Sequence, residues 1–252
     1  MLSKLLAQNS WVFVGTAQES VEFCSIEKIL DLDGEIVSSD KISLVRKVVN
    51  DGRVYYVKIY YRNGNGLRHY LGRGRLQGEW ENLFFFENIG IRIPRIVAYG
   101  QRTKYFQFRF GVLVTAEVPD SADLLTISQK NSTLLQDKIW RDSVMAQIAQ
   151  FTRILHCHGF VHWDLKWRNI LVSNYTTQQP LVCFFDCPLG RQRFGWLRRR
   201  GAIKDIACLD KVAKKVLSRS LRLKFYKEYV QCDKINCHIK KQVYKIVKFF
   251  NS

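Results

Sequence analysis

No apolar run in these 252 residues approaches the ~18 needed to cross a bilayer as a helix, so a spanning segment is not expected. The opening Met1-Leu2-Ser3-Lys4-Leu5-Leu6-Ala7-Gln8 turns polar too soon for a secretory signal, and the chain reads as cytoplasmic. Repeats and low-complexity tracts are missing. Cysteines in disulfide or zinc patterns are missing too. The seven cysteines are odd in number and mostly in apolar surroundings, which fits reduced thiols better than a disulfide framework. Cys183 with Cys187, and Cys232 with Cys237 and His238, lack the C-x₂-C spacing of a zinc site and lie in unrelated contexts. Acidic residues are scarce: 22 Asp and Glu face 40 Lys and Arg, a net charge of +18. Such a field attracts nucleic acid, anionic lipid or phosphorylated substrates without choosing among them.

What remains is a chain able to build a core. Hydrophobic residues are 47% and aromatics 13%, so disorder is not expected, and the length permits one large domain or two lobes.

Function concentrates in His162-Trp163-Asp164-Leu165-Lys166-Trp167-Arg168-Asn169 and in the apolar run Leu181-Val182-Cys183-Phe184-Phe185 that ends at Asp186. Phosphoryl transfer of the kinase type needs one carboxylate to take or orient the acceptor's proton. It also needs a carboxamide and a second carboxylate to hold Mg²⁺ against the ATP phosphates. Asp164, Asn169 and Asp186 have these chemistries in this order, and the step from Asp164 to Asn169 is that of the H-x-D-x-x-x-x-N loop. Lys166 is placed to neutralise charge on the transferred group; the plainer reading is a solvated loop cation. Asn174 to Pro180 suits the turn of a hairpin.

Upstream, Ile42–Val49 and Arg53–Tyr60 read as strands around Asn50-Asp51-Gly52, whose residues tolerate φ > 0. Lys58 lies between Val57 and Ile59. An outward-facing strand lysine is common, but with the downstream residues Lys58 reads as the lysine on the ATP α/β-phosphates. Leu76–Asn88 reads as a helix with Trp80, Leu83 and Phe84 on its apolar face and Gly90 at its end. Glu79 and Glu81 are both candidates to pair with Lys58, and Glu79 is preferred. Residues 61–75, rich in Gly and Arg, read as a mobile basic loop. Tyr105–Thr115 reads as two strand stretches broken at Gly111. Leu113–Val118 leads into Pro119 as a hinge, where in a kinase-like fold the backbone of Glu117 and Val118 would meet adenine.

In the second half, Trp140, Val144, Ile148, Phe151 and Leu155 mark one face of a helix over 137–158. The basic run Arg191, Arg193, Arg198, Arg199, Arg200, Lys204 follows Asp186 and suits an anionic acceptor or a membrane surface. Helices are expected over 203–217 and 219–230. Asp205, near the start of the first, either orders the catalytic-loop backbone or serves the helix dipole. The tail from Cys237 to Phe249 reads as a basic amphipathic helix, with packing preferred to a place on a membrane surface.

Together Val57-Lys58-Ile59-Tyr60, Glu79-Trp80, Ile93-Pro94, the stretch from His158 to Leu171 and Asp186-Cys187-Pro188 resemble the bacterial lipopolysaccharide core kinase family (Kdo/WaaP, InaA-like) over roughly residues 35 to 230. The resemblance implies a two-lobed α+β, protein-kinase-like fold. Residues 1–118 would form a β-rich, ATP-binding lobe and 119–252 a mainly helical catalytic lobe. It implies phosphorylation of heptose or Kdo with ATP and Mg²⁺, on an anionic lipopolysaccharide core acceptor, with peripheral contact at the cytoplasmic face of the inner membrane. Lys58 would bind the ATP phosphates and Glu79 would hold Lys58. Asp164 would be the base, and Asn169 and Asp186 the metal ligands. Three places depart from the protein-kinase pattern. Trp163 stands for the Arg of H-R-D, Cys187-Pro188 follows the metal Asp in place of Phe-Gly, and Ser38-Ser39-Asp40-Lys41 stands where a Gly-rich loop would be. The rivals are a kinase for a protein or small molecule, and an inactive kinase-like module holding nucleic acid or membrane. Nucleic acid is disfavoured by the intact catalytic set.

Overall fold

The Asp51-Gly52 turn takes positive φ at both residues (48° and 72°), and it joins the strands around it so that Asn50 pairs with Arg53. The structure is a computed structural model that describes residues 7–62, 73–104 and 107–250. In chain order its elements are β1 (Ala7–Phe13), α1 (Ser20–Phe23), α2 (Ile26–Asp31), β2 (Glu35–Ser39), β3 (Ser43–Asn50), β4 (Arg53–Tyr60), α3 (Arg75–Asn88), β5 (Ile96–Lys104), β6 (Gln107–Ala116) and β7 (Ser121–Asp123). There follow α4 (Leu124–Lys130), α5 (Ser132–Gln136), α6 (Lys138–Cys157), β8 (Phe160–Val161), a 3₁₀ turn (Trp167–Asn169), β9 (Ile170–Ser173), β10 (Leu181–Phe184), β11 (Arg191–Gln192), α7 (Gly195–Val216), α8 (Arg219–Val230) and α9 (Cys237–Lys248). The basic loop expected over 61–75 falls largely on residues 63–72, outside the described residues.

Two compact units emerge. One holds Met1–Glu81 and Pro94–Val118, the other Asn82–Ile93 and Pro119–Ser252. The first is built on an antiparallel sheet of order β1-β5-β6-β4-β3-β2 among the described residues. Helices as short as α1 and α2 are unstable alone. They persist because Phe23, Ile26 and Ile29 are buried against Val48, Tyr55, Val57, Val97 and Val112 of the sheet. The expected break at Gly111 does not occur: β6 runs through it without interruption. Glycine is needed there for space, because a Cβ would collide with the Leu76 side chain.

In the second unit, Asp137 caps α6 by accepting from the N–H groups of Ile139 and Trp140 at 2.8 and 3.2 Å. The predicted face, Trp140, Val144, Ile148, Phe151 and Leu155, is buried. The hairpin β9–β10 pairs Ile170 with Phe184, and one step outward Phe185 N–H donates to the Asn169 carbonyl at 3.2 Å. Register therefore brings Asn169 and the residue before Asp186 to the same end of the hairpin.

Two further expectations are corrected. Helix α7 starts at Gly195, eight residues before the expected 203, so much of the basic run is helical. Its first turns carry arginines where an apolar stripe would have signalled a helix. On α3 the buried stripe is Leu76, Glu79, Asn82, Leu83 and Phe86, while Trp80 and Phe84 are only half-buried. Two polar residues take the inward positions because each has partners there. The helix closes with Gly90 at φ 80°, its N–H on Glu87 O (3.0 Å) and that of Ile91 on Phe86 O (2.9 Å), a left-handed cap that a residue with a Cβ resists. The tail helix α9 buries Ile239 and Ile246, seven residues apart on one face.

Candidate active site

The sequence-predicted residues fall into two groups, one in each unit. In the first unit, Lys58 projects from β4 on the same face as Tyr60, two residues on. Its Nζ lies 3.0 and 2.9 Å from the two carboxylate oxygens of Glu79. Glu79 is 3% exposed, so the pair is shielded from solvent and its attraction is weakly screened. Glu81 points elsewhere, accepting from Gln77 at 2.8 Å and pairing with Arg73 at 2.6 Å. Of the two glutamates weighed from sequence, Glu79 is the one that meets Lys58.

Tyr60 was not singled out in the sequence. Its hydroxyl donates to Glu79 Oε2, and its ring lies 5.2 Å from Lys58 Nζ. The signal was available: period-two spacing puts positions 58 and 60 on one face of a strand. The β2–β3 turn has no glycine, and Asp40 organises it instead. Its Oδ1 accepts from the N–H groups of Ile42 and Ser43 at 2.6 and 2.7 Å. Those backbone hydrogen bonds hold its carboxyl below the usual range, with smaller help from the charges of Lys58 and Arg75. Glu117 N–H is already used, donating to Val54 O at 2.9 Å, and the Glu117 carboxylate lies 4.0 Å from Lys47.

In the second unit, Asp164 and Lys166 touch at 2.6 Å, and Asn169 donates its side-chain N–H to the Asp164 carbonyl at 2.9 Å. That bond orients the carboxamide, spending its nitrogen and leaving Oδ1 for a cation. Mg²⁺ takes hard oxygens and few protein carboxylates. The Asn169 oxygen and the Asp186 carboxylate fit it. Asp186 and Trp163 both take left-handed φ, 55° and 68°. Asp tolerates that region; a tryptophan there is a strained conformation that its surroundings must enforce. The Trp163 ring has Lys204 Nζ at 4.9 Å and Arg193 Cζ at 5.8 Å, so two cations of the basic run share one indole.

The loop is fixed from behind by Asp205, which is fully buried and well inside α7 rather than near its start. Its Oδ2 accepts from His162 N–H at 2.7 Å and lies 3.3 Å from His156 Nε2. The helix-dipole alternative therefore falls away. Burial pushes the His162 imidazole down, outweighing the raising effect of Asp205, Asp186 and Asp164. It stacks on Phe86 at 6.0 Å. Asn82, also missed in the sequence, donates to the Cys187 and Gly190 carbonyls at 2.6 and 3.0 Å and so holds the segment after Asp186.

The model of the lipopolysaccharide kinase (Kdo/WaaP) family matches residues 38–229. The chain belongs to that family. A solved structure titled "WaaP in complex with acyl carrier protein" superposes with a TM-score of 0.73 at 19% identity, covering 96% of each chain. At that identity the likeness speaks to fold: this lipopolysaccharide kinase family member is an α+β protein of the kinase-like type, with an antiparallel sheet in its N-terminal part and helices in its C-terminal part. Family membership supports phosphotransferase activity. Among the described residues no helix is long and apolar enough to cross a membrane.

Proposed function

We propose that this chain transfers the γ-phosphoryl group of ATP to a hydroxyl of heptose or Kdo in the inner core of lipopolysaccharide. The observation that carries the reading is the Lys58–Glu79 ion pair, buried and chosen over a competing glutamate in the same helix. A lysine fixed in this way presents its charge to phosphate oxygens at little further entropic cost. Lys58 binds the ATP phosphates, Glu79 and Tyr60 orient Lys58, and the Glu117 carbonyl with Val118 meets the adenine. Asp164 takes the proton from the acceptor hydroxyl, and Lys166 offsets charge gathering on the transferred group. Asn169 and Asp186 would hold Mg²⁺, which would supply positive charge against the ATP phosphates. The chain works as one kinase-like domain whose N-terminal part, 1–118, binds nucleotide and whose C-terminal part, 119–252, carries the catalytic loop.

The test is phosphate transfer from labelled Mg·ATP to purified lipopolysaccharide core by the wild type and by Asp164→Ala. The expected outcome is transfer by the wild type alone, with ATP still bound by the variant. Full activity in Asp164→Ala rejects Asp164 as the base. Bound ATP without transfer by either protein points to another acceptor, and no ATP binding, with steeply salt-dependent nucleic-acid binding, returns the inactive module.

A partner reading accompanies this one. The similar WaaP structure contains an acyl carrier protein. The second unit here holds an apolar cavity of about 490 Å³ lined by Met145, Ile148, Leu209, Leu217, Tyr226 and Val247. An apolar cavity of this size suits a carrier bearing an acyl chain. Co-elution with acylated but not deacylated carrier protein is the expected result.

A further inference from the structure

The two aromatic side chains Phe194 and Trp196 are 82% and 65% exposed, in a protein that buries most of its other large apolar groups. They stand on either side of Gly195, where α7 begins. Phe194 precedes the helix without capping it through its side chain, and Trp196 lies in its first turn. Around them run Arg191, Arg193, Arg198, Arg199 and Arg200, and no acidic residue occurs between Arg191 and Lys204. The next acid, Asp205, is fully buried and engaged by His162 and His156.

Not all of this charge is available. Arg193 and Lys204 lie against the Trp163 ring, and Arg198 donates to the His156 carbonyl at 2.8 Å. Arg199 and Arg200 are exposed and have no ion-pair partner among the described residues. They follow Trp196 by three and four positions, which puts all three on one face of α7. That face thus presents an indole and two guanidinium groups, with the Phe194 ring beside it.

We propose that this face docks on an anionic lipid surface, with Phe194 and Trp196 seated at headgroup level and Arg199 and Arg200 on lipid phosphates. Aromatic rings with a polar edge prefer that boundary, and arginines beside them meet the negative surface potential. Charge decides against a second copy of the chain, since two such faces at a net +18 each repel. The geometry also has a use. The arginine run begins five residues after Asp186, so docking here brings a lipid-borne acceptor to the segment that carries the metal carboxylate. The docking itself does not rest on the kinase reading, because it is measured without ATP or acceptor.

The experiment is co-sedimentation of the full chain with vesicles of phosphatidylethanolamine and phosphatidylglycerol, against vesicles of phosphatidylcholine. The wild type is expected to bind the anionic vesicles only, less at high salt. The double variant Phe194→Ser/Trp196→Ser is expected to lose roughly tenfold or more in affinity. Trp196→Phe supplies the control that keeps an aromatic ring: it should still sediment, while fluorescence quenching by brominated phosphatidylglycerol falls relative to the wild type. Equal binding to neutral vesicles, undiminished binding by the double variant, or a preference for single-stranded RNA over the anionic vesicles would overturn the proposal. Unchanged quenching in Trp196→Phe would do the same.

Discussion

Asp205 and His162 are 43 residues apart and joined by a single hydrogen bond, His162 N–H to Asp205 Oδ2 at 2.7 Å. The bond anchors the loop that carries Asp164 to α7, two residues before that carboxylate, and the same oxygen reaches His156 at the end of α6. A loop whose backbone is tied in this way keeps its carboxylate in place without relying on its own side chains.

Asp205→Ala removes that acceptor and leaves a buried N–H unpaired, a loss of about 1–3 kcal/mol of stability. Displacement of the loop by even ~1 Å should lower kcat roughly 100-fold. The ATP KM should rise by less than kcat falls, because Lys58 and Glu79 lie in the other unit. Steady-state kinetics with a parallel urea titration checks both, and a fall in ATP affinity without loss of kcat would contradict the assignment.

Tyr60→Phe keeps the ring beside Lys58 and deletes the hydroxyl on Glu79. The expected effect is a rise of roughly tenfold in the ATP KM, the worth of one hydrogen bond to a charged group. Glu79→Gln should act more strongly, because it removes the charge that holds the lysine. Nucleotide binding by calorimetry is the measurement.

Gly201 lies in α7 where an added Cβ would collide with Val161. Helix propensity alone predicts that Gly201→Ala stabilises by about 1 kcal/mol. The contact predicts the reverse, a loss of about 1–3 kcal/mol from overpacking. The sign of the change in a chemical-denaturation midpoint decides between them.

Glu19 is 1% exposed, and the Arg95 guanidinium bound to it, with Thr16 N–H and Tyr55 hydroxyl, overcomes burial and holds its carboxyl at about 2 against an ordinary 4.5. A folded-state value below the unfolded one gives stability that is fully present above about pH 4.5. That stability is lost as the pH falls toward 2, since the unfolded chain takes up the proton first. Acid titration of the denaturation midpoint should show this slope in the wild type and a flatter one in Glu19→Gln.

Much of the local architecture could be read in the chain. Asn50-Asp51-Gly52 announced its hairpin, and the buried face of α6 followed from steps of three and four residues. The order Lys58, Asp164, Asn169, Asp186 pointed to the kinase-like fold. These signals are short-range: a turn, a strand or a helix face depends on residues within a few positions of one another. Less legible was the start of α7, whose first turns carry arginines in place of an apolar stripe, and the buried stripe of α3, where Glu79 and Asn82 sit inward.

By itself, then, the sequence determined most of the element types and the kinase-like fold, and it marked Lys58, Asp164, Asn169 and Asp186 as candidates for phosphoryl transfer. Tertiary structure alone decided that Tyr60 braces the Lys58–Glu79 pair and that Asn82 secures the segment after Asp186, and it chose between the two readings of Asp205. It also decided that Phe194 and Trp196 remain in solvent. Each of these is settled by partners distant in sequence, and burial and hydrogen bonding across such distances leave no periodic trace in the chain.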